Sequence, residues 1–292
     1  MFKGSLVALV TPFDSENRVD YACLKRLIDF HIDQGSNGLV IAGTTGEAAT
    51  LTRAEHVELI ARSVEISAGR LPIVAGTGSN STAQTIILSR EVGNTGIDAY
   101  LLVVPYYNKP MQEGMYRHFS TIADGVDKPV MMYNVPGRTV ADMLPETVGR
   151  LAEHSNIFGI KEATGDIDRL IEIKKLVSED FMLYSGDDFT LLPFIEQGGH
   201  GVVTVSGNVV PRAIAELCHL ALAGETETAK ALDATLQALN KALFIESNPI
   251  PVKWALAEMG LMEAYLRLPL TDYDVQYHAR MREAMAEAGV KL

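Results

Sequence analysis

Eight short apolar runs recur along this chain, and their rhythm is the strongest constraint on its fold. They occupy residues 5–10, 38–42, 72–76, 99–104, 130–134, 157–161, 181–185 and 201–205. Polar loops rich in Gly, Thr, Asn or Asp follow, and then amphipathic stretches such as YACLKRLIDFHIDQ, RAEHVELIARSVEIS and DRLIEIKKLVS. In these stretches apolar residues fall near i, i+3, i+4 and i+7, the helical period. Strands of a parallel sheet are covered on both faces, so they read as near-continuous apolar runs rather than alternating ones. Eight such strands alternating with helices predict an α/β chain closed into a (β/α)8 TIM barrel. The competing arrangement is an open doubly wound sheet, but no GxGxxG follows the first run.

The rhythm stops near Val205, and the helix after Pro211 can complete the barrel, which places the catalytic barrel at residues 1–224. Residues 225–292 read as helical throughout, in TETAKALDATLQALNKALF, PVKWALAEMGL and a final stretch to Leu292. With no strands of its own, this part is expected to be a C-terminal helical appendage rather than an independent domain. The start, MFKGSLVALVTPFD, has one lysine and an apolar stretch, but the run stops at Pro12 and Asp14 with no small-residue cleavage site. It reads as a first strand, and the cytoplasm is the expected location. No apolar run approaches the ~20 residues of a membrane span. A net charge of −12 and a pI near 5.0 disfavour nucleic acid or an anionic membrane as partner. Cys23 and Cys218 lie far apart in helix-like stretches and are expected to be reduced core thiols.

Reactive residues gather at one end of the strands. The loops GTTGEAATL (43–51), GTGSNST (76–82), PYYNKP (105–110), YNVPGR (133–138), KEATGD (161–166), SGDD (185–188) and SGN (206–208) all follow the C-terminal ends of runs. In a barrel those ends surround one shared mouth, where catalytic residues collect. The connections at the opposite end, such as AGRLP and GVDKP, are plain turns. The asymmetry points to an enzyme.

Lys161 ends the sixth run, so its stem lies among apolar neighbours while its amine points to the mouth. Burial disfavours an ammonium, which is what a nucleophilic amine needs at neutral pH. Position alone also allows a structural ion pair with Glu162 or a nearby Asp. Thr44 and Thr45, between glycines, either cradle a small carboxylate with backbone N–H groups at a helix start or simply cap that helix, as Thr50 and Thr52 can. Tyr133 is either a proton donor and acceptor in the mouth or a packing residue. Arg138, after a Pro-Gly turn, either grips a second carboxylate in bidentate fashion or forms a surface ion pair. Tyr106 and Tyr107 are adjacent and must point different ways, one to the mouth and one to an interface. The histidines at 31, 56, 118, 154, 200, 219 and 278 are scattered without HxH or HExxH, so no metal or cofactor is expected. The glycine-rich run at 198–201 precedes a strand, the wrong end for the usual phosphate site.

In order and spacing, GTTGE, GTGSN, PYYNKP, YNVPGRT, GIKEATGD, SGDD and NPIPVKWA closely resemble the dihydrodipicolinate synthase family over essentially the whole chain. GxTGE, YN(V/I)P and GxK recur across the wider pyruvate-lyase superfamily, whereas PYYNKP and PGRT at these places are more specific. The resemblance implies a condensation of pyruvate with L-aspartate-4-semialdehyde in diaminopimelate and lysine biosynthesis, through a Schiff base on Lys161. It implies a proton relay of Tyr133, Thr44 and Tyr107, with Tyr107 supplied by a neighbouring subunit of a homotetramer built from tight dimers. It assigns Thr45 to the pyruvate carboxylate, Arg138 to the carboxylate of the second substrate, and Val203 and Gly186 to the substrate pocket.

The resemblance also marks a regulatory site for lysine at the dimer interface, matched here by Ala49, Arg53, His56, Asn80, Gln84 and Tyr106. Inhibited members tend to carry Glu where this chain has Gln84, and often His where it has Arg53. Gln84 offers no charge to an ammonium and Arg53 repels a cation, so weak or absent lysine feedback is expected. Two rivals share much of the site. N-acetylneuraminate lyase or a 2-keto-3-deoxy sugar acid aldolase would keep Lys161, Tyr133 and GxTGE, but Arg138 and the Tyr106-Tyr107 pair suit a short substrate ending in a carboxylate. A catalytically dead oligomer is the other, and the full set of Lys161, Tyr133, Thr44, Tyr107 and Arg138 argues against it.

Overall fold

Each apolar run forms a strand in the computed structural model of the protein, which describes residues 2–292. The strands are β1 (Gly4–Ala8), β2 (Gly38–Ile41), β3 (Ile73–Gly76), β4 (Ala99–Val103), β5 (Val130–Asn134), β6 (Ile157–Glu162), β7 (Met182–Ser185) and β8 (Gly201–Thr204). They pair in chain order, all parallel, and β8 returns to β1 to close the barrel. The closing seam sets Gly4 opposite Gly201, where a Cβ on Gly201 would lie 2.1 Å from the Gly4 carbonyl oxygen. Only glycine fits so close a backbone approach.

Around the strands run α1 (Tyr21–Asp33), α2 (Arg53–Ser67), α3 (Thr82–Gly93), α4 (Gln112–Gly125), the short α5 (Pro136–Thr139), α6 (Pro145–Ala152), α7 (Ile167–Lys174), α8 (Leu191–Glu196) and α9 (Pro211–Ala223). Alternation along the strands divides the apolar residues into two layers. Leu6, Val40, Val74, Leu101, Met131, Tyr184 and Val203 fill the barrel interior. Val7, Leu39, Ile41, Leu102, Met132, Ile160 and Val202 face the helices and form the larger core with them. Cys23 and Cys218 are free thiols buried in that outer layer.

Beyond α9 lie α10 (Thr226–Ala242), α11 (Ile250–Glu258) and α12 (His278–Glu287). The expectation of helix throughout fails between α11 and α12. Gly260 takes a left-handed φ of +70°, and Pro269 cannot donate to a helix. The chain there is an irregular strap with a single 3-10 turn, Val275–Tyr277. Arg267 fastens the strap to the barrel loops, donating to the carbonyls of Asn17 (3.1 Å) and Thr50 (2.9 Å) and to the Glu55 carboxylate. Among the described residues, no helix is long and apolar enough to cross a membrane.

Candidate active site

The C-terminal ends of the strands open on a cavity of about 150 Å³. Its wall includes Thr44 and Thr45 after β2, Tyr133 on β5, Arg138 on α5, Lys161 on β6, and Gly186 with Asp187 after β7. Four strand ends far apart in sequence thus converge on one small space.

β5 and β6 set the centre. Their register pairs Tyr133 with Lys161 and, one step on, Asn134 with Glu162. Because side chains alternate along a strand, the first pair faces the barrel interior and the second faces outward. Lys161 is 6% exposed, and its Nζ lies 4.2 Å from the centre of the Tyr133 ring. It has no ion-pair partner among the described residues. Glu162, the alternative partner in the sequence reading, is occupied elsewhere. Its carboxylate accepts from Asn134 Nδ2 (3.1 Å) and from the Thr164 backbone N–H (2.9 Å), and it lies 3.3 Å from the Arg169 guanidinium. Burial nonetheless pushes the Glu162 carboxyl above its ordinary range, the Arg169 charge opposing that push.

Gly186 makes room for the lysine. A Cβ there would sit 2.6 Å from Ala163 Cβ and 2.9 Å from Lys161 Cε, so any larger residue would displace the stem. Across the cavity, Thr45 is buried and its Oγ1 accepts from Asn248 Nδ2 at 2.9 Å. Neither Thr44 nor Thr45 caps a helix. The helix start expected at GTTGE lies at Arg53, where Thr52 and Glu55 form a reciprocal capping box, and GTTGE turns instead into a 3-10 turn, Ala48–Thr50. Arg138 forms no ion pair among the described residues. It donates to the Asn248 carbonyl at 3.2 Å, which holds its guanidinium at the rim of the cavity.

Val203 is fully buried in the barrel interior, and at the end of β8 it is Val205 that reaches the cavity wall. Tyr107 stands away from this cavity, 90% exposed on a left-handed backbone (φ +74°). That conformation is costly for a non-glycine residue. Three polar or aromatic lining residues had no role in the sequence reading: Phe244 and Asn248 from the C-terminal part, and Asp187. Burial and the neighbouring Asp188 push the Asp187 carboxyl upward. The SGDD loop flagged Asp187 by place and Asn248 opens the NPIPVKWA segment, but nothing in the sequence brings residue 244 to the mouth.

Of the six positions of the expected lysine site, Ala49 lies in the 3-10 turn after β2, Arg53 and His56 on α2, Asn80 in the loop after β3, Gln84 on α3 and Tyr106 in the loop after β4. Ala49, Arg53, Gln84 and Tyr106 are exposed, and Asn80 Nδ2 donates to the Tyr106 carbonyl at 3.2 Å. His56 is buried and paired with the Gly76 carbonyl oxygen at 2.7 Å, and burial lowers its pKa. Arg53 is not a free cation: its Nε donates to Glu91 at 2.7 Å. Among the described residues no three His, Cys, Asp or Glu side chains gather as a metal site.

Comparison with known proteins agrees with this architecture. Residues 1–288 match the Dihydrodipicolinate synthetase family. The chain is 54% identical over 290 residues to the 4-hydroxy-tetrahydrodipicolinate synthase of Ectopseudomonas mendocina, covering 99% of both chains. It is equally similar to that of Methylococcus capsulatus, at 54% over 99% of this chain and 100% of the relative. Among solved structures, the chloride-inhibited dihydrodipicolinate synthase of Acinetobacter baumannii, complexed with pyruvate, superposes with a TM-score of 0.98 at 45% identity over 100% of both chains. The Aquifex aeolicus enzyme gives 0.96 at 43% identity, covering 99% of this chain and 98% of its own. The chain belongs to the dihydrodipicolinate synthetase family.

Proposed function

We propose that Lys161 is the nucleophile of a Schiff-base aldol condensation between pyruvate and L-aspartate-4-semialdehyde. This is the 4-hydroxy-tetrahydrodipicolinate synthase reaction of lysine and diaminopimelate biosynthesis, and the chain is a lyase of that kind. The observation that carries the assignment of Lys161 is a buried amine with no carboxylate partner among the described residues, held against Tyr133 at a barrel mouth. Such an amine is free to add to a ketone. Loss of water gives an iminium, and loss of a proton from the adjacent methyl gives an enamine. The enamine carbon attacks the aldehyde, and the amino group of the new chain then displaces Lys161 as the product cyclises.

Proton movement in these steps is proposed for Tyr133, Thr44 and Tyr107, hydroxyls whose reach suits general acid–base work. Thr45 is proposed to receive the pyruvate carboxylate, Arg138 the second carboxylate, Gly186 to admit the lysine stem, and Val203 to form apolar support beneath. Tyr107 points off its own barrel, which suits delivery to a neighbouring subunit of a homotetramer of two tight dimers. Residues 1–224 would then be the catalytic barrel, with 225–292 a helical appendage that contributes Phe244 and Asn248 to the wall. The cytoplasm is the proposed location. A cavity of about 150 Å³ with Arg138 at its rim favours a short acid over a polyhydroxylated sugar chain, since sites for larger ligands run to roughly 300–1,000 Å³.

Borohydride reduction in the presence of pyruvate, followed by peptide mapping, tests the mechanism: the adduct is expected on Lys161, and an adduct elsewhere or none refutes it. Turnover with aspartate semialdehyde but not N-acetylneuraminate separates the reaction from its nearest rival. Weak or absent lysine inhibition is also proposed. Because Glu91 holds Arg53, that proposal rests on the uncharged Gln84, and calorimetric titration showing tight lysine binding would refute it.

A further inference from the structure

A second lysine near the mouth has no part in the chemistry above. Lys253 on α11 is fully buried, and its Nζ donates to Glu47 Oε1 at 2.6 Å. Glu47 is the last residue of GTTGE, two residues beyond Thr45, and its backbone is left-handed (φ +54°). A non-glycine residue in that region is strained and persists only where its surroundings over-determine it. Here they do. The other carboxylate oxygen accepts from the Arg267 backbone N–H at 3.1 Å, and the Lys253 ammonium stands 4.3 Å from the centre of the Phe13 ring. Neither Lys253 nor Glu47 reaches the cavity wall.

The segment entering α11 grips the same loop a second time, because Asn248 Nδ2 donates to Thr45 Oγ1. With that oxygen already accepting, the Thr45 hydroxyl hydrogen is left to donate to another group. The loop that would hold pyruvate is therefore fixed from behind at two points, both supplied from about 200 residues away along the chain.

We propose that Lys253 is a positioning residue that, through its buried ion pair with Glu47, sets the pose of the Thr44-Thr45 loop and so the affinity for the keto acid, while Asn248 aims the Thr45 hydroxyl. The inference rests on the reading of Thr45 as the pyruvate-carboxylate contact. Removing the pair lets Glu47 relax from its strained backbone and carries Thr44 and Thr45 with it. The step that suffers is capture of pyruvate, not the later attack on the aldehyde.

The decisive variant is Glu47→Gln/Lys253→Met, which replaces the pair by neutral groups of similar size, a change that buried ion pairs often tolerate without loss of stability. The readout is the pyruvate concentration giving half-maximal borohydride labelling of Lys161, alongside KM for each substrate and the thermal midpoint. A rise of about tenfold in the labelling concentration and in pyruvate KM is expected, with aldehyde KM within about twofold. Glu47→Gln alone keeps an acceptor for Lys253 and should raise the labelling concentration by only about threefold, a partial rescue. A folded double variant that labels at the wild-type pyruvate concentration overturns the proposal. If the double variant does not fold, an unchanged labelling concentration in folded Glu47→Gln does the same. Thr45→Val separates the two layers of the argument: if it too labels as wild type, the carboxylate reading has failed rather than the role of Lys253.

Discussion

Two lysines are buried at the mouth of this barrel, and the protein treats them in opposite ways. Lys253 is sealed from water and matched to Glu47, with an aromatic face and the Arg267 backbone completing its surroundings. Burial still pulls its pKa down to about 8, with the Glu47 charge working against that pull. Lys161 is buried almost as deeply but has the ring of Tyr133 where Lys253 has a carboxylate. The only acid beside it in sequence, Glu162, faces the other side of the strand. Burial alone therefore does not make an amine reactive. The carboxylate beside Lys253 makes it a fastening between α11 and the GTTGE loop, whereas Lys161 has no carboxylate holding it and faces the cavity.

The contrast is broken most severely at Lys161 itself. Lys161→Ala should lose at least about 10⁴-fold in turnover while the thermal midpoint hardly moves, because no ion pair is lost with it. Lys253→Ala should act chiefly on stability, with weaker capture of pyruvate. It strands the Glu47 carboxylate in the interior and should cost about 3–5 kcal/mol of stability, read by chemical denaturation, while protein that remains folded still forms the borohydride adduct.

A third buried base sharpens the comparison by solving the problem another way. His31 lies in the core with Ser36 Oγ 3.0 Å from its Nδ1, and burial drops its pKa to about 3. It is accommodated by staying neutral. The unfolded chain takes up this proton as pH falls through about 6.5, whereas the folded chain resists until about 3. The stabilisation is thus complete above pH 6.5 and is lost on acidification, by about 2 kcal/mol between pH 7 and 5. Denaturation curves of wild type and His31→Gln at the two pH values should differ by that amount. Equal pH dependence would refute it. The smallest effect is expected from giving Lys161 what Lys253 has. Ala163→Asp places a second carboxylate, besides Asp187, in the same cavity and should slow adduct formation about tenfold by pairing with the amine that would add to the ketone.

These distinctions were legible in the sequence to different depths. The strands were plain because burial on both faces removes polar residues from them, and their polar ends named Lys161, Tyr133, Thr44, Thr45 and Arg138, all of which reach the cavity. That Lys161 is unpaired was not legible, since it depends on the register of β5 against β6 and on where Arg169 and Asn134 draw Glu162. Lys253 gave still less signal. It lies in the largely apolar PVKWALA, and its partner is 206 residues away. The strap after α11 was read as helix together with the rest of residues 225–292, while Gly260 and Pro269 decide the backbone there. Asn248 opens NPIPVKWA, so the resemblance marks its segment but not its place at the mouth, and Phe244 lies in no motif; a tertiary contact brings both there.

The ion pair between Glu47 and Lys253 also orders events in time. On the ribosome the eighth strand has been made by residue 204, yet the cation that neutralises Glu47 comes only with residue 253. Until then the GTTGE loop must keep its carboxylate in water. Both fastenings of the loop, at Thr45 and at Glu47, therefore wait for residues 248 and 253, which are made well after the last strand of the barrel.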